Sequence, residues 1–489
     1  MPLKRTGLQT IDLPLRPAVC ASAAFVGKKE GEGPLGNLFD HVAQDELYGQ
    51  DTFELAEKRL YLDAIRKAIQ KGGLKPENVQ FLLGGDLLNQ IITASFSARE
   101  LGIPCIGLYG ACSTMAESLC LGSMLLDGEH ASTVVCAASS HFCTAERQYR
   151  YPLEFGSQRP PTAQWTVTGA GAVLLTLQPP VPPQARVTRV CMGRVVDLGV
   201  NDANNMGAAM APAAADTLLA LLADTHTQPA DYDLIVTGDL GQVGRDLLLQ
   251  LMREQRMPLD ERLHRDCGLM IYDRERQDAH AGGSGCGCSA SVLCASLLPA
   301  LQQGDLKRII FMATGALMSV TSSQQGETIP GIAHAVVLES IRCGLRIWRS
   351  FSAIGAEFCT GRKVFSAAAA SDDRRQLCAA ARAEKSARVI AENTTGWTLA
   401  DFQEALMSYD LRSVLPDFFC GGADGRTHAS QLLVYGDEYG VRDFITCENT
   451  DYAEDQNYDR STFNKNDAID PAIRFGSNCG ISKPHDDKN

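Results

Sequence analysis

One segment of this chain is written twice. Val79–Leu87 (VQFLLGGDL) returns as Asp233–Leu240 (DLIVTGDL), each a short apolar run closing in Gly-Asp. Such a run, bounded by a turn signal, reads as a buried strand with its exit turn. Two further anchors follow in the same order. Gly128-Glu129-His130 with the run from Ser132 to Ala137 matches Gly304-Asp305-Leu306 with the run from Arg308 to Ala313. Gly110-Ala111-Cys112-Ser113 falls opposite Cys286-Gly287-Cys288-Ser289, each opening a segment rich in small residues. A strand–helix–strand unit used twice predicts parallel sheet covered by helices about a pseudo-twofold axis. The segment Thr52–Lys71 adds a helix, with Leu55, Leu60, Ala64, Ile65, Ala68 and Ile69 as its apolar stripe and Gly72-Gly73 as its stop. It reads as a packing helix.

The 489 residues are enough for two or three domains. We divide them into halves at 1–178 and 179–340 and an extension, 341–489. The net charge of −13 repels phosphate backbones, so nucleic acid is not an expected partner. The 17 cysteines form no spaced disulfide framework, and Met1-Pro2-Leu3-Lys4-Arg5 opens no apolar leader. No run approaches the roughly 18 apolar residues of a membrane span. A reducing interior is the expected setting, either cytoplasmic or peripheral on an inner membrane face.

The duplicated unit, the cysteine at a helix start and the glycine-bounded strand Gly169–Leu174 resemble thiolases and 3-ketoacyl-carrier-protein synthases. Within that superfamily, Gly85-Asp86-Leu87-Leu88-Asn89-Gln90, Tyr109–Thr114, Thr144–Gln148, Met206–Thr217, Asp266–Tyr272, Ala281–Cys286 and Ile332-Ala333-His334 resemble the stage V sporulation protein AD family, from about residue 5 to about 340. The resemblance implies a thiolase-like fold layered α-β-α-β-α. It also implies a protein that binds dipicolinic acid or its calcium chelate. Such a protein would work with membrane-embedded SpoVA proteins on the cytoplasmic side of the spore inner membrane, in the forespore and at germination. A homodimer is a further expectation. No cofactor is implied beyond calcium carried by the ligand.

Cys112 falls where the resembling enzymes keep their nucleophile, and a thiol at a helix start gains from the dipole. Condensation also needs a base and oxyanion donors. In the synthase branch these are a His after the second-half strand and an Asn before the last helix. Here the corresponding stretches read Thr237-Gly238-Asp239 and Gly283-Ser284-Gly285, without either. Cys112 is therefore read as a pocket-lining thiol, with a thiolase-class acyltransferase as the alternative and a structural scaffold for membrane partners as a second. His334 is either a packed residue or a substitute base near the pocket.

For binding, the N–H groups at Cys112 and Ser113 are expected to face a carboxylate. Asp86 is expected at the sheet's carboxyl edge as a ligand to chelated calcium, with Asn89 and Gln90 beside it. The alternative for Asp86, repeated in Asp239, is turn-making or capping. Arg147, Arg150 and Arg159, among Tyr149, Tyr151 and Phe155, are read as an interface rather than a grip on a planar dianion. Cys286 and Cys288 are read as packing, since two thiolates do not complete a zinc site. In the extension we expect helices over 374–391 and from Thr398, and disorder from about 449.

Overall fold

The computed structural model describes residues 4–150, 153, 159–341 and the backbone of 432–437 and 440–446. Contacts divide the chain into units 1–363 and 364–489. In the second unit the described backbone forms an antiparallel hairpin, detailed below. The helices expected over 374–391 and from Thr398, and the disorder expected from 449, lie outside the described residues, as do Tyr151 and Phe155.

The first half carries β1 (Thr10–Asp12), β2 (Ala18–Val26), α1 (Lys28–Gly31), β3 (His41–Val42), α2 (Phe53–Lys71), β4 (Phe81–Gly85), α3 (Ile92–Leu101), β5 (Cys105–Gly107), α4 (Thr114–Asp127), β6 (Thr133–Ser140), α5 (Phe142–Tyr149), β7 (Trp165–Thr166) and β8 (Gly169–Thr176). The second carries β9 (Ala185–Cys191), α6 (Met206–Thr225), β10 (Leu234–Thr237), α7 (Gly241–Glu254), β11 (His264–Asp266), α8 (Cys267–Ile271), β12 (Gly283–Ser284), α9 (Cys286–Val292), α10 (Leu298–Gln303), β13 (Arg308–Ala316), α11 (Val320–Gln324) and β14 (Gly331–Glu339). In the second unit, β15 (Leu432–Asp437) pairs with β16 (Gly440–Thr446).

The strand order β11-β10-β13-β14-β9-β2-β8-β6-β4-β5 makes the duplication visible. Each half contributes five strands, and the sequence reads alike from either end toward the central β9–β2 contact. In both halves the strand ending in Gly-Asp pairs parallel with two neighbours: β4 with β5 and β6, and β10 with β11 and β13. The strand that follows turns antiparallel, β6 with β8 and β13 with β14. All three sequence anchors fall on equivalent elements.

Three buried clusters define five layers. α4 and α9 lie between the strands of the two halves, with Met115, Leu119, Val292 and Leu293 in one core. α2 and α3 cover one outer face through Leu60, Ile65 and Ala94, while α6 and α7 cover the other through Met210, Leu218 and Leu248. The α-β-α-β-α layering is the one the resemblance implied. Thr52 caps α2, its hydroxyl accepting from Leu55 N–H at 3.3 Å, worth about 1 kcal/mol. Burial of Leu60, Ile65 and Ile69 contributes about 1.5–3 kcal/mol each, so the sheet rather than the cap holds this helix. Leu55, expected in its stripe, is instead 42% exposed. Among the described residues one helix, α6, is long and apolar enough to cross a membrane, and two-thirds of its apolar window is buried in the core.

Candidate functional site

A narrow cleft, about 30 Å³ in cavity volume beneath an open mouth, lies at the head of α4. Its lining comes from both halves: Tyr109 and Cys112 before α4, Tyr149 and Arg150 at the end of α5, Met206 at the start of α6, Ser284 before α9, and Met318 after β13. A 3-10 turn over Ala111–Ser113 leads into α4, and Cys112 sits in it, 5% exposed. Gly315 of β13 packs directly on this turn. A Cβ there would collide with the Gly110 carbonyl and crowd the amide nitrogens of Ser113 and Cys112. The floor of the cleft is therefore a main-chain contact between the halves.

Beneath Cys112 lies Asp239, fully buried. Its Oδ1 accepts from Thr314 Oγ1 at 2.8 Å; its Oδ2 accepts from Ser284 Oγ at 3.1 Å and Gly285 N–H at 3.0 Å. The Cys112 thiol turns to the same carboxylate and stands 4.0 Å from Ser284 Oγ. Burial raises Asp239 to about 6 despite those donors. Burial, then the adjacent Asp239 charge, pushes the Cys112 thiol far up. Asp239 and Ser284 thus occupy the stretches where a His and an Asn were sought, and burial with the Asp239 charge keeps the thiol protonated, outweighing the opposite pull of the Ser284 hydroxyl.

Asp86 does not repeat this role. Its Oδ1 accepts from Leu88 N–H and its Oδ2 from Ala94 N–H, both at 2.8 Å, so it builds the turn between β4 and α3. It is fully buried and absent from the cleft lining. The expectation that it coordinates chelated calcium is corrected: the carboxylate is enclosed away from the cleft, each oxygen turned to a backbone N–H. In the second half that turn is served by Asp266 of β11, which accepts from Leu240 and Gly241 N–H at 2.8 and 3.0 Å. Asp239 is released from capping by this exchange.

Other expected site residues also lie elsewhere. Asn89 is exposed, outside the lining, with its N–H on Gln148 Oε1. Ser113 is fully buried, and both its N–H and hydroxyl donate to the Gly110 carbonyl, so its amide does not face a ligand. His334, on β14, is 4% exposed and accepts from Gly193 N–H through Nδ1; burial lowers it to about 4. It packs, and it does not line the cleft.

The arginine group divides. Arg147 pairs with Glu54, and Arg159 lies over the Trp165 ring and pairs with Asp278. Arg150, read from sequence as part of an interface, is in the cleft. Its side chain is 6% exposed and pairs with Glu146, its Nη2 meets the Met206 sulfur, and its Nε has no partner. Among the described lining residues it carries the only charge. Tyr149 donates to the Leu87 carbonyl, and the Tyr109 hydroxyl lies 2.8 Å from that of Tyr149. Sequence reasoning missed Ser284, Thr166 and Met318; the one available signal was a serine held between Gly283 and Gly285 ahead of a helix.

Cys286 and Cys288 are buried, their thiols on the Ser139 and Gly238 carbonyls. Among the described residues Glu46, His141 and Cys143 lie close enough to consider a metal. There, His141 Nδ1 accepts from Cys143 N–H while Nε2 meets the Glu46 carbonyl. A ligating histidine donates from its second nitrogen. Here the Nδ1 lone pair is taken by Cys143 N–H and Nε2–H donates to the Glu46 carbonyl, so the ring has no lone pair left for an ion.

Five layers around a cysteine heading a central helix define a thiolase-like protein, here with a carboxylate in place of a base beside the thiol. The family model for Stage V sporulation protein AD (SpoVAD) matches residues 7–339. The Stage V sporulation protein AD of Bacillus subtilis (strain 168) is 45% identical over 337 residues, 69% of this chain and 98% of that protein. The chain belongs to the stage V sporulation protein AD family. Among solved structures, 3-oxoacyl-[acyl-carrier-protein] synthase III from Aquifex aeolicus VF5 is 14% identical with a TM-score of 0.43, covering 66% of this chain and 99% of its own. Human mitochondrial 3-ketoacyl-CoA thiolase, in complex with CoA, is 16% identical with a TM-score of 0.43, covering 67% and 99%.

Proposed function

We propose that this sporulation protein binds dipicolinate in the Cys112 cleft, serves its movement during sporulation and germination, and does not transfer acyl groups. The observation that carries the reading is Arg150, the one charged side chain lining the cleft among the described residues, paired with Glu146 and with its buried Nε unpartnered. A guanidinium carries five donors in a planar fork, so it can hold a ligand carboxylate beside the one it already pairs with. The walls of Tyr109, Tyr149, Met206 and Met318 offer a flat ring an apolar slot with few polar points, the usual make-up of a small-molecule site.

No carboxylate lines the cleft among the described residues. The free anion is therefore the ligand we favour over the calcium chelate, whose metal would find no protein oxygen donor of opposite charge. Family membership supports the sporulation setting, and with it membrane-embedded SpoVA partners at the cytoplasmic face of the spore inner membrane in the forespore. Self-association is supported by β5, an edge strand with exposed Cys105, near exposed Ile92, Phe96 and Tyr109. Thiolase-class acyl transfer through Cys112 is the second reading, favoured by the position of the thiol alone.

Calorimetric titration of the purified full chain with dipicolinate, with and without excess calcium, tests this. Saturable one-site binding that calcium weakens is the expected result. Absence of heat and of any thermal stabilisation in either condition would leave the cleft without this ligand and favour the scaffold reading.

A further inference from the structure

The floor of the cleft has a polarity that its residue types do not reveal. Ser284 and Cys112 line it, and a hydroxyl can in general donate or accept. Here Asp239 removes that choice. Gly285 N–H can only donate, and it shares Oδ2 with the Ser284 hydroxyl at 3.0 and 3.1 Å. Oδ1 is taken by Thr314. An ionised Asp239 therefore draws the Ser284 proton inward, and the Cys112 thiol turns to it as well. What Ser284 and Cys112 turn to the cleft is lone pairs.

Resting on the dipicolinate reading above, we infer that the floor takes a hydrogen-bond donor, so that the ligand binds as a monoanion: one carboxylate toward Arg150, and a protonated or neutral donor group toward Ser284 and Cys112. A second ionised carboxylate on that floor would set lone pairs against lone pairs above a buried carboxylate. The proton comes from solvent and rides on the ligand's second carboxyl; no bond between heavy atoms forms or breaks. Thr166 and Tyr109 can still adjust to either end of the ligand, since their hydroxyls are not held by Asp239.

The side chains packed around Asp239 are neutral or acidic, and its own oxygens are held by donors. From the turn before α4 comes Cys112, from β13 Thr314, and from the start of α9 the buried thiols of Cys286 and Cys288. From β11 and α8 come Asp266 and Cys267. All four thiols are pushed far up by burial and remain neutral. None of these side chains is a cation that would neutralise Asp239.

Three ligands read the polarity in calcium-free solution at pH 8: dipicolinate, 6-carbamoylpyridine-2-carboxylate and pyridine-2-carboxylate. The carbamoyl compound keeps one carboxylate and brings a neutral donor; the last brings nothing to the floor. The carbamoyl compound is expected to bind tightest, by about tenfold over pyridine-2-carboxylate, the scale of one hydrogen bond. Dipicolinate should bind with uptake of about one proton, seen by calorimetry in buffers of different ionisation enthalpy. Its affinity should fall about tenfold per pH unit above neutrality. In Ser284→Ala the carbamoyl advantage should vanish. Equal binding of the two monocarboxylates, which simple charge repulsion would give, overturns the inference while the dipicolinate reading stands. So does tight dipicolinate binding at pH 8 without proton uptake. If none of the three binds at any pH, the dipicolinate reading fails and takes this inference with it.

Discussion

Cys112 and Asp239 come from opposite halves of a duplicated chain, and the thiol of one turns to the buried carboxylate of the other. A cationic base would lower the thiol's pKa; an anionic neighbour in a dry interior raises it.

That relationship sets the first prediction. The full chain incubated with acetyl-CoA at pH 7.5 should show no acyl adduct on Cys112 by intact-mass and peptide mass spectrometry. Rapid, stoichiometric acylation that then discharges to an acceptor would restore the enzyme reading.

Arg150 should dominate ligand affinity. Arg150→Met removes a charge-assisted contact, worth about 1.5–3 kcal/mol, so dipicolinate binding should weaken roughly tenfold or more by calorimetry. The substitution also strands Glu146, whose side chain is 8% exposed. The double variant Arg150→Met, Glu146→Gln controls for that destabilisation and should show the same loss. Unchanged affinity in the double variant would remove Arg150 from the site.

Asp86 should matter to the fold and not to the ligand. Each of its oxygens accepts a different backbone N–H, and an asparagine there would present an amide donor to one of them. Asp86→Asn should cost about 1–3 kcal/mol in chemical denaturation, while dipicolinate affinity stays within about twofold. A selective loss of binding with stability intact would return Asp86 to the cleft.

Stability should fall as pH rises from the acid range toward 8. Burial raises Glu30 and Asp266 to about 7, and Glu57, buried beside Asp86, is raised as well. A carboxyl whose folded value lies above its unfolded one stabilises fully below the unfolded value. That contribution is lost as pH rises through the folded value. The urea midpoint should therefore decline from about pH 5 to about pH 8, and Glu30→Gln should flatten part of the slope. A midpoint that rises over this window would contradict the assignment of these groups.

A chain ending near residue 340 should fold by itself. β14 closes the second half at Glu339, and Ser340 is tied to Lys307 and Leu301. Cooperative melting of the truncated protein is expected; aggregation would mean the extension covers an apolar face.

The strands and their equivalences were legible because buried parallel strands leave continuous apolar runs with small-residue exits, as at Leu83-Gly84-Gly85-Asp86 and Val236-Thr237-Gly238-Asp239. The fate of the two aspartates was not. Which carboxylate caps the second-half turn depends on Asp266, which arrives from a neighbouring strand 27 positions later in the chain. The cleft was only half legible for a similar reason. Cys112 announces itself at a helix start, but Arg150, Met206, Ser284 and Met318 meet it from four separate connections, and no local pattern encodes that meeting. Reading Arg150 with its neighbours Arg147 and Arg159 misled, since the three turn toward different partners.

The contact of Gly315 on the turn that carries Cys112 has a consequence for how this site can change over generations. Side chains can be traded one mutation at a time, but here two stretches of backbone already touch, and any Cβ at Gly315 must push them apart. Drift cannot deepen the cleft from below. Variation among descendants has to accumulate at the mouth, on Tyr109, Tyr149, Met206 and Met318, where a single exchange alters width and chemistry without disturbing the floor. The width of the cleft in this lineage is thus a property of the rim, while the hydrogen-bond polarity of the floor stays fixed by Ser284 and Asp239.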